Sequence, residues 1–156
     1  MMKKIALLAA LGSLAMMLGA WGFEYIGEMA PCKLCLWQRW PHKIAIGLGL
    51  VMLFLPNRWL ALLGGLVVLG GAGIAFFHAG VELKYWPGPD TCTGLPTGPI
   101  SLDALWDRPV VRCDDIPWSL FGISMAGWNA LISLGLATTW LLSFKAGSTK
   151  KPEAAR

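Results

Sequence analysis

Four apolar runs organise the chain. Ile5 to Phe23 is nineteen residues without a charge, preceded by Lys3 and Lys4, and a run of that length crosses the roughly 30 Å apolar core of a bilayer as a helix. A segment of this kind near an N-terminus also resembles a secretory signal. Leu18-Gly19-Ala20 is a poor small-residue cleavage site, however, and the run exceeds a typical signal core, so we read a first membrane helix. The second run, Ile44 to Leu55, is only twelve residues, too short to cross alone. Its helix must begin further back, near Leu36, which places Arg39, His42 and Lys43 at the membrane surface. Pro41 then either begins the straight part of that helix or kinks it, because it has no backbone N–H to give to the preceding turn.

Pro56-Asn57-Arg58 reads as a tight turn, after which Trp59 to Val81 runs twenty-three residues with His78 as its only strongly polar member. Gly64, Gly65, Gly70, Gly71 and Gly73 lie along this third span. Small residues let membrane helices approach closely, so they predict a packing face. Trp118 to Phe144 is the fourth span, twenty-seven uncharged residues, with Lys145, Lys150, Lys151 and Arg156 behind it. The expected architecture is an all-α membrane protein, a four transmembrane helix bundle with spans at about 5–23, 36–55, 59–81 and 118–144. It forms a single integral domain over 1–156 with a polar, disordered cytoplasmic tail from 145.

Composition supports a lipid environment. Of 156 residues, 56% are hydrophobic and 14% charged, too few charges to coat a soluble globule. The net charge of +4 does not indicate nucleic acid, because seven of the thirteen basic residues (Lys3, Lys4, Arg58, Lys145, Lys150, Lys151, Arg156) sit at the termini or in one tight turn. That distribution is a topology signal with both termini inside. It is a matter of local density, since the inner side holds seven basic residues and the outer side six. Eight of the nine acids (Glu24, Glu28, Glu82, Asp90, Asp103, Asp107, Asp114, Asp115) fall in the two outer segments. Trp21, Trp37, Trp40, Trp59, Trp118 and Trp140 lie near predicted span ends, as an interfacial aromatic belt requires. No internal repeat is present.

Parity carries the useful consequence: the segments between spans one and two and between spans three and four share the outer face, and all four cysteines lie in them. Cys32 and Cys35 form a Cys-Lys-Leu-Cys pair just before the second span, while Cys92 and Cys113 sit in the long second loop. Four cysteines allow three full pairings. Two inert disulfides bracing the loops are one reading in an oxidising compartment. A four-thiolate zinc site would want short spacing in both pairs, which the second pair lacks. A redox reading rests on placement, because a CxxC at a helix N-terminus feels the positive end of the peptide dipoles, which favours the thiolate. Arg39 follows Cys35 by four residues, one turn deeper on the same face and about 6 Å along the axis. A fixed cation there can hold a thiolate and a carbonyl oxygen of a lipid-soluble ring, although an arginine at that depth also snorkels to water as a matter of course. The surroundings of Cys32 show no βαβ pattern, so a thioredoxin fold has to come from a partner. The outer loop carries turn-forming Trp86-Pro87-Gly88-Pro89-Asp90 and a candidate short surface helix from Ser101 to Trp106.

Three segments together, Pro31-Cys32-Lys33-Leu34-Cys35-Leu36-Trp37-Gln38-Arg39, Tyr85-Trp86-Pro87-Gly88-Pro89 ahead of Cys92, and Arg112-Cys113 leading into Pro117-Trp118, resemble the DsbB family of disulfide bond formation proteins. The resemblance covers all four spans and both outer loops. It implies a quinone-dependent protein-disulfide oxidase of the bacterial inner membrane, with periplasmic cysteines and cytoplasmic termini. Its partners would be a periplasmic DsbA-like thioredoxin-fold oxidase and the membrane quinone pool, ubiquinone or menaquinone. By the same resemblance Cys92 forms the mixed disulfide with that partner, Cys113 is its loop mate, Cys32 exchanges with Cys113, and Cys35 delivers electrons to the quinone assisted by Arg39. The Cys92–Cys113 loop is shorter than in the best-known members. Asp114 and Asp115 beside Cys113 run against the assignment. They should raise its thiol pKa and make it a poorer leaving group, with Arg112 offsetting only part of this. His78 is a candidate for the quinone pocket or an ordinary interfacial histidine, with Glu82 one turn on as a partner on the same helix face.

Overall fold

A computed structural model describes residues 1–93 and 111–148. The candidate surface helix at Ser101–Trp106 and the last eight residues lie outside this range. Four long helices dominate: α1 (Met2–Tyr25), α2 (Lys33–Phe54), α3 (Arg58–Glu82) and, after a short turn of helix α4 (Asp90–Thr93) and a hairpin of β1 (Ser119–Leu120) and β2 (Ile123–Ser124), α5 (Met125–Ser148). By length and composition α1, α3 and α5 are each sufficient to cross a membrane. The polar first half of α2, with Lys33, Gln38, Arg39, His42 and Lys43, sets it apart from them.

Local chemistry fixes the helix ends. Cys32 is the N-cap of α2, extended in backbone and accepting the Cys35 N–H on its sulfur at 3.2 Å. Asn57 caps α3 by taking the Trp59 N–H at 2.9 Å, and Ser124 caps α5 by taking that of Gly127 at 3.1 Å. The second helix therefore begins at Lys33, three residues before the expected Leu36. Pro41 lies inside α2, where it gives no hydrogen bond to the preceding turn. Its ring fills the space a side chain on Gly71 would need, since a Cβ there would come within 2.8 Å of it.

Two expectations about the fourth span are corrected. Its helix starts at Met125, not Trp118, because Phe121 and Gly122 both take left-handed backbone (φ 53° and 77°) and turn the chain back through an antiparallel pair, Ser119 opposite Ser124. That is the two-residue hairpin turn whose twist matches the strands, and an apolarity count is blind to it. At the other end α5 continues past Phe144 to Ser148, so the first residues of the expected tail are helical.

The helices close into a ring: α1 packs on α2, α2 on α3, α3 most extensively on α5, and α5 back on α1. The core at the end holding the N-terminus is small-residue packing, with Ala6, Ala9, Ala10, Ala45, Ala61, Val68 and Ala137 around Met52 and Trp140. Trp140 is fully buried, not part of a belt, and it lies against Gly64, where an added Cβ would approach its ring to 2.7 Å. Gly65 and Gly71 also face neighbours, whereas Gly70 and Gly73 face open space, so the glycine face is real but narrower than its residues suggest. Trp21, Trp37, Trp40 and Trp59 are exposed. The Lys3 ammonium donates to the Leu53 carbonyl at 2.7 Å and the Ser143 hydroxyl to that of Met2 at 2.9 Å, binding α1 to α2 and α5. This leaves both cysteine pairs at the opposite end.

Candidate functional site

All four cysteines meet in one buried cluster. Cys92 and Cys113 form a disulfide with Cα atoms 5.3 Å apart. Around them pack Cys32, Leu34 and Val81, flanked by Cys35, Trp86 and Val111. Cys32 and Cys35 are free thiols with sulfurs 2.7 Å apart, Cys32 buried and Cys35 half-buried. The dipole geometry expected of the CxxC is present, since the Cys32 sulfur caps α2 and Cys35 sits in its first turn.

The chain reaches this arrangement through the Trp86 turn. The Trp86 indole N–H donates to the Phe77 carbonyl at 2.8 Å and its ring stacks on Phe77 at 5.9 Å between centroids. Only a glycine fits beneath it, because a Cβ on Gly80 would lie 2.0 Å from the indole. With Lys84 in left-handed backbone (φ 61°) the chain folds back over α3, and the Cys92 N–H donates to the Pro89 carbonyl at 2.8 Å. The Cys113 N–H then pairs with the Cys92 carbonyl at 3.2 Å.

His78 is no exposed interfacial histidine. It is buried, its Nε2 lies 3.2 Å from the Cys113 carbonyl and 3.6 Å from the Cys32 sulfur, and its Nδ1 is 2.7 Å from the Gln38 amide nitrogen. That amide nitrogen also donates to the Leu34 carbonyl at 3.2 Å, so Nδ1 accepts and Nε2 carries the proton. His78 thus donates toward Cys113 and Cys32 at once and ties the two pairs together. The sulfurs of Cys32 and Cys35 and a His78 nitrogen lie within 4.8 Å of one another, close enough to bind a metal, but Nδ1 is already an acceptor and Nε2 a donor. Glu82 stands 3.8 Å from His78 Nε2, beyond a hydrogen bond, and its carboxylate accepts from the Ser124 hydroxyl instead.

Arg39 does not snorkel. Its guanidinium pairs with Glu24 near the end of α1 and is mostly buried. It lines a cavity of about 450 Å³ between α1, α2 and α5, shared with Cys35, Gln38, His42 and His78. Phe23, Trp118, Met125, Trp128 and Ile132 supply apolar and aromatic wall. A flat ring with polar oxygens at its edge fits such a lining. His42, expected at the membrane surface, is buried instead, facing Asn129 of α5 at 3.1 Å. Glu24, Gln38, His42 and Asn129 are the site residues that sequence reasoning missed or misplaced. Asn129 lies far from the CxxC in sequence, and only its being a polar residue in an apolar span pointed to it, whereas Glu24 falls just past the first apolar run and reads as one more outer acid.

The charge objection at Cys113 also changes. Asp114 takes hydrogen bonds from Arg112 at 2.8 and 3.0 Å and from the Lys84 ammonium at 2.6 Å. Arg112, then Lys84, hold its carboxyl well below the usual carboxylate range. With Asp115 near Arg112 at 3.7 Å, two cations balance two anions beside the sulfur, and Lys84 supplies the half that Arg112 alone did not.

Residues 2–143 match the family model described as disulfide bond formation protein DsbB. A disulfide bond formation protein B from Mannheimia succiniciproducens is 31% identical, with 96% of this chain and 92% of that protein aligned. One of the same description from Shewanella amazonensis is 30% identical over 85% of this chain and 83% of its own length. No solved structure matches. A helical membrane bundle carrying two cysteine pairs, matched over nearly its whole length, belongs to the DsbB family of disulfide bond formation proteins.

Proposed function

We propose that the chain is an inner-membrane thiol oxidase that re-oxidises a periplasmic DsbA-like dithiol protein through Cys92–Cys113 and passes the electrons through Cys32–Cys35 to a membrane quinone. The observation that carries this reading is the placement of Cys35 between two sets of neighbours, a buried cluster holding the other three cysteines and an apolar cavity shared with Arg39.

Each protein step is thiol-disulfide exchange. A partner thiolate attacks Cys92 and releases Cys113, and the partner's second thiol then closes its own disulfide and leaves Cys92 and Cys113 reduced. With Cys32–Cys35 in its disulfide form, the oxidised counterpart of the dithiol seen here, the Cys113 thiolate attacks Cys32, breaks the Cys32–Cys35 bond and releases Cys35, and Cys92 then closes on Cys113 to free Cys32. The dithiol left at Cys32 and Cys35 holds two electrons and two protons. A bound quinone supplies the acceptor for both. The DsbA class is itself strongly oxidising, at about −120 mV, so a favourable acceptor is required. Arg39, with Glu24 setting its direction, presents donors to a ring oxygen, and the His78 N–H holds Cys113 against Cys32. Cys92 is only 4% exposed, so a partner thiolate reaches its sulfur only once that sulfur is uncovered.

Reduced full-length protein mixed with a soluble quinone analogue should lose thiols in step with quinol formation, and Cys35→Ala should abolish both. Thiol content indifferent to quinone would instead mark the disulfides as structural braces. Cys113→Ala should trap the partner on Cys92.

A further inference from the structure

The hydrogen bonds below the CxxC have a direction, and a backbone carbonyl sets it. The Leu34 carbonyl can only accept, so the Gln38 amide nitrogen faces it at 3.2 Å and the Gln38 amide oxygen must point the other way. That oxygen receives the Asn129 amide nitrogen at 2.6 Å. The Asn129 oxygen is thereby turned toward His42 Nε2, at 3.1 Å, and it also accepts from the Ser133 hydroxyl at 3.1 Å. His42 consequently carries its proton on Nε2. Reversing any one link would set two acceptors against each other, and reversing the whole chain would set the Gln38 oxygen against the Leu34 carbonyl.

Nδ1 of His42 is left as a bare lone pair. It has no hydrogen-bond partner among the described residues, and the residue is 4% exposed. A buried acceptor without a donor is uncommon and costly, and this one belongs to a side chain lining the cavity shared by Cys35 and Arg39. Arg39 lies three residues before His42 on α2, so the two are neighbours on one helix face, with Cβ atoms about 5–6 Å apart. Their hydrogen-bonding characters are opposite, since a guanidinium only donates and this Nδ1 only accepts.

We propose that His42 Nδ1 is the acceptor for a hydroxyl of the reduced ring, so that the cavity binds quinol in preference to quinone. The inference rests on the quinone reading above and extends it to a residue and a selectivity. A dioxo ring offers acceptors at both edges: it satisfies Arg39 and sets an oxygen against the His42 lone pair. A dihydroxy ring satisfies both, accepting from Arg39 and donating to His42. The ratio of the two affinities is also the factor by which the bound ring is easier to reduce than the free one, because the thermodynamic cycle must close. The two electrons and two protons still come from the Cys32–Cys35 dithiol as its disulfide forms, and His42 acts on the balance of that step by positioning.

The test is binding, measured calorimetrically under anaerobic conditions on the full chain in detergent with both cysteine pairs oxidised, using a short-tailed quinone and its quinol. The unaltered chain should bind quinol about tenfold more tightly than quinone, and His42→Phe should weaken quinol by about tenfold while changing quinone by less than about twofold. Retained quinone binding shows the variant to be folded. Asn129→Leu keeps His42 but frees its tautomer, so the preference should narrow through stronger quinone binding. In the unaltered chain the ¹⁵N resonance of His42 Nδ1 should report an unprotonated nitrogen that shifts with quinol and not with quinone. Equal losses for both forms, no loss for either, or a protonated Nδ1 overturns the inference while the quinone reading stands. If neither form binds the unaltered chain and the thiol-loss assay is also silent, the quinone reading falls and takes this inference with it.

Discussion

The two ends of the bundle hold together by different means. At the end carrying the N-terminus the helices touch through alanines and glycines around Trp140, with apolar atoms doing nearly all the packing. At the other end Gln38, His42, His78, Asn129 and Ser133 are joined by hydrogen bonds across three helices, and the cysteines sit on top of that network. The first end is a clamp whose geometry depends on shape, which neighbours can adjust to in part. The second depends on donor and acceptor matching, which is all or nothing for each group. Damage at the clamp should therefore appear in stability and leave the chemistry of the folded protein alone, and damage at the polar end should cost less stability and appear chiefly in the chemistry.

Trp140→Ala is the largest break at the clamp. It removes a fully buried indole and opens a cavity in front of Gly64, for an expected loss of about 3–5 kcal/mol in unfolding from mild detergent by added SDS. The rate at which the remaining folded protein oxidises its Cys32–Cys35 dithiol should change by less than about twofold. Trp140→Phe sharpens the point. The indole N–H has no partner among the described residues, so removing it takes away an orphaned donor and the cost should be far smaller. A fall in the specific rate beyond the loss of folded protein would show that the two ends are coupled.

At the polar end the corresponding break is Gln38→Leu, close in volume. It orphans His78 Nδ1 and the Asn129 amide, at an expected cost of about 1–3 kcal/mol, less than at the clamp. The effect on chemistry should be larger: with its Nδ1 unheld, His78 no longer keeps its N–H on the Cys113 carbonyl. Exchange between the cysteine pairs should slow by about tenfold, followed by rapid alkylation and mass analysis. An unchanged exchange rate would remove His78 from the account of how the pairs meet.

The two ends also differed in how far the sequence revealed them. The clamp was legible because it is built from what hydropathy counts, long apolar runs with Gly64, Gly65 and Gly71 on one helix. Even there Trp140 was misplaced, since a tryptophan near a span end reads the same whether it faces lipid or the core. The cysteines and Arg39 were legible through the CxxC and its spacing. The network beneath was not, because its members come from helices whose relative rotation no local pattern records: His42 reads as interfacial until α5 brings Asn129 against it. The Phe121-Gly122 turn escaped for a different reason. Its phenylalanine continues the apolar run, and left-handed backbone at a bulky residue is an outlier that composition does not announce.

The smallest expected effect lies at the outermost surface of the polar end, where Asp114 is held between Arg112 and Lys84. Because its folded pKa is depressed, whatever this cluster adds is fully present above the unfolded value of about 3.9 and is lost only as pH falls through the lower folded value. Reduction of Cys92–Cys113 by a small dithiol, corrected for the reductant's own ionisation, should therefore be flat from about pH 8 to about pH 5 and rise only in stronger acid. Asp114→Asn should speed that reduction by about two- to threefold at neutral pH, since it loosens the segment and leaves two cations to stabilise the departing Cys113 thiolate. Lys84→Met loosens the same segment but leaves net negative charge beside Cys113, so it should give no acceleration. If both variants accelerate equally, access to the disulfide governs the rate and the charge balance around Cys113 does not. If only Asp114→Asn does, the electrostatic part of the comparison between the two ends extends to the sulfur that leaves when the Cys92–Cys113 bond is reduced.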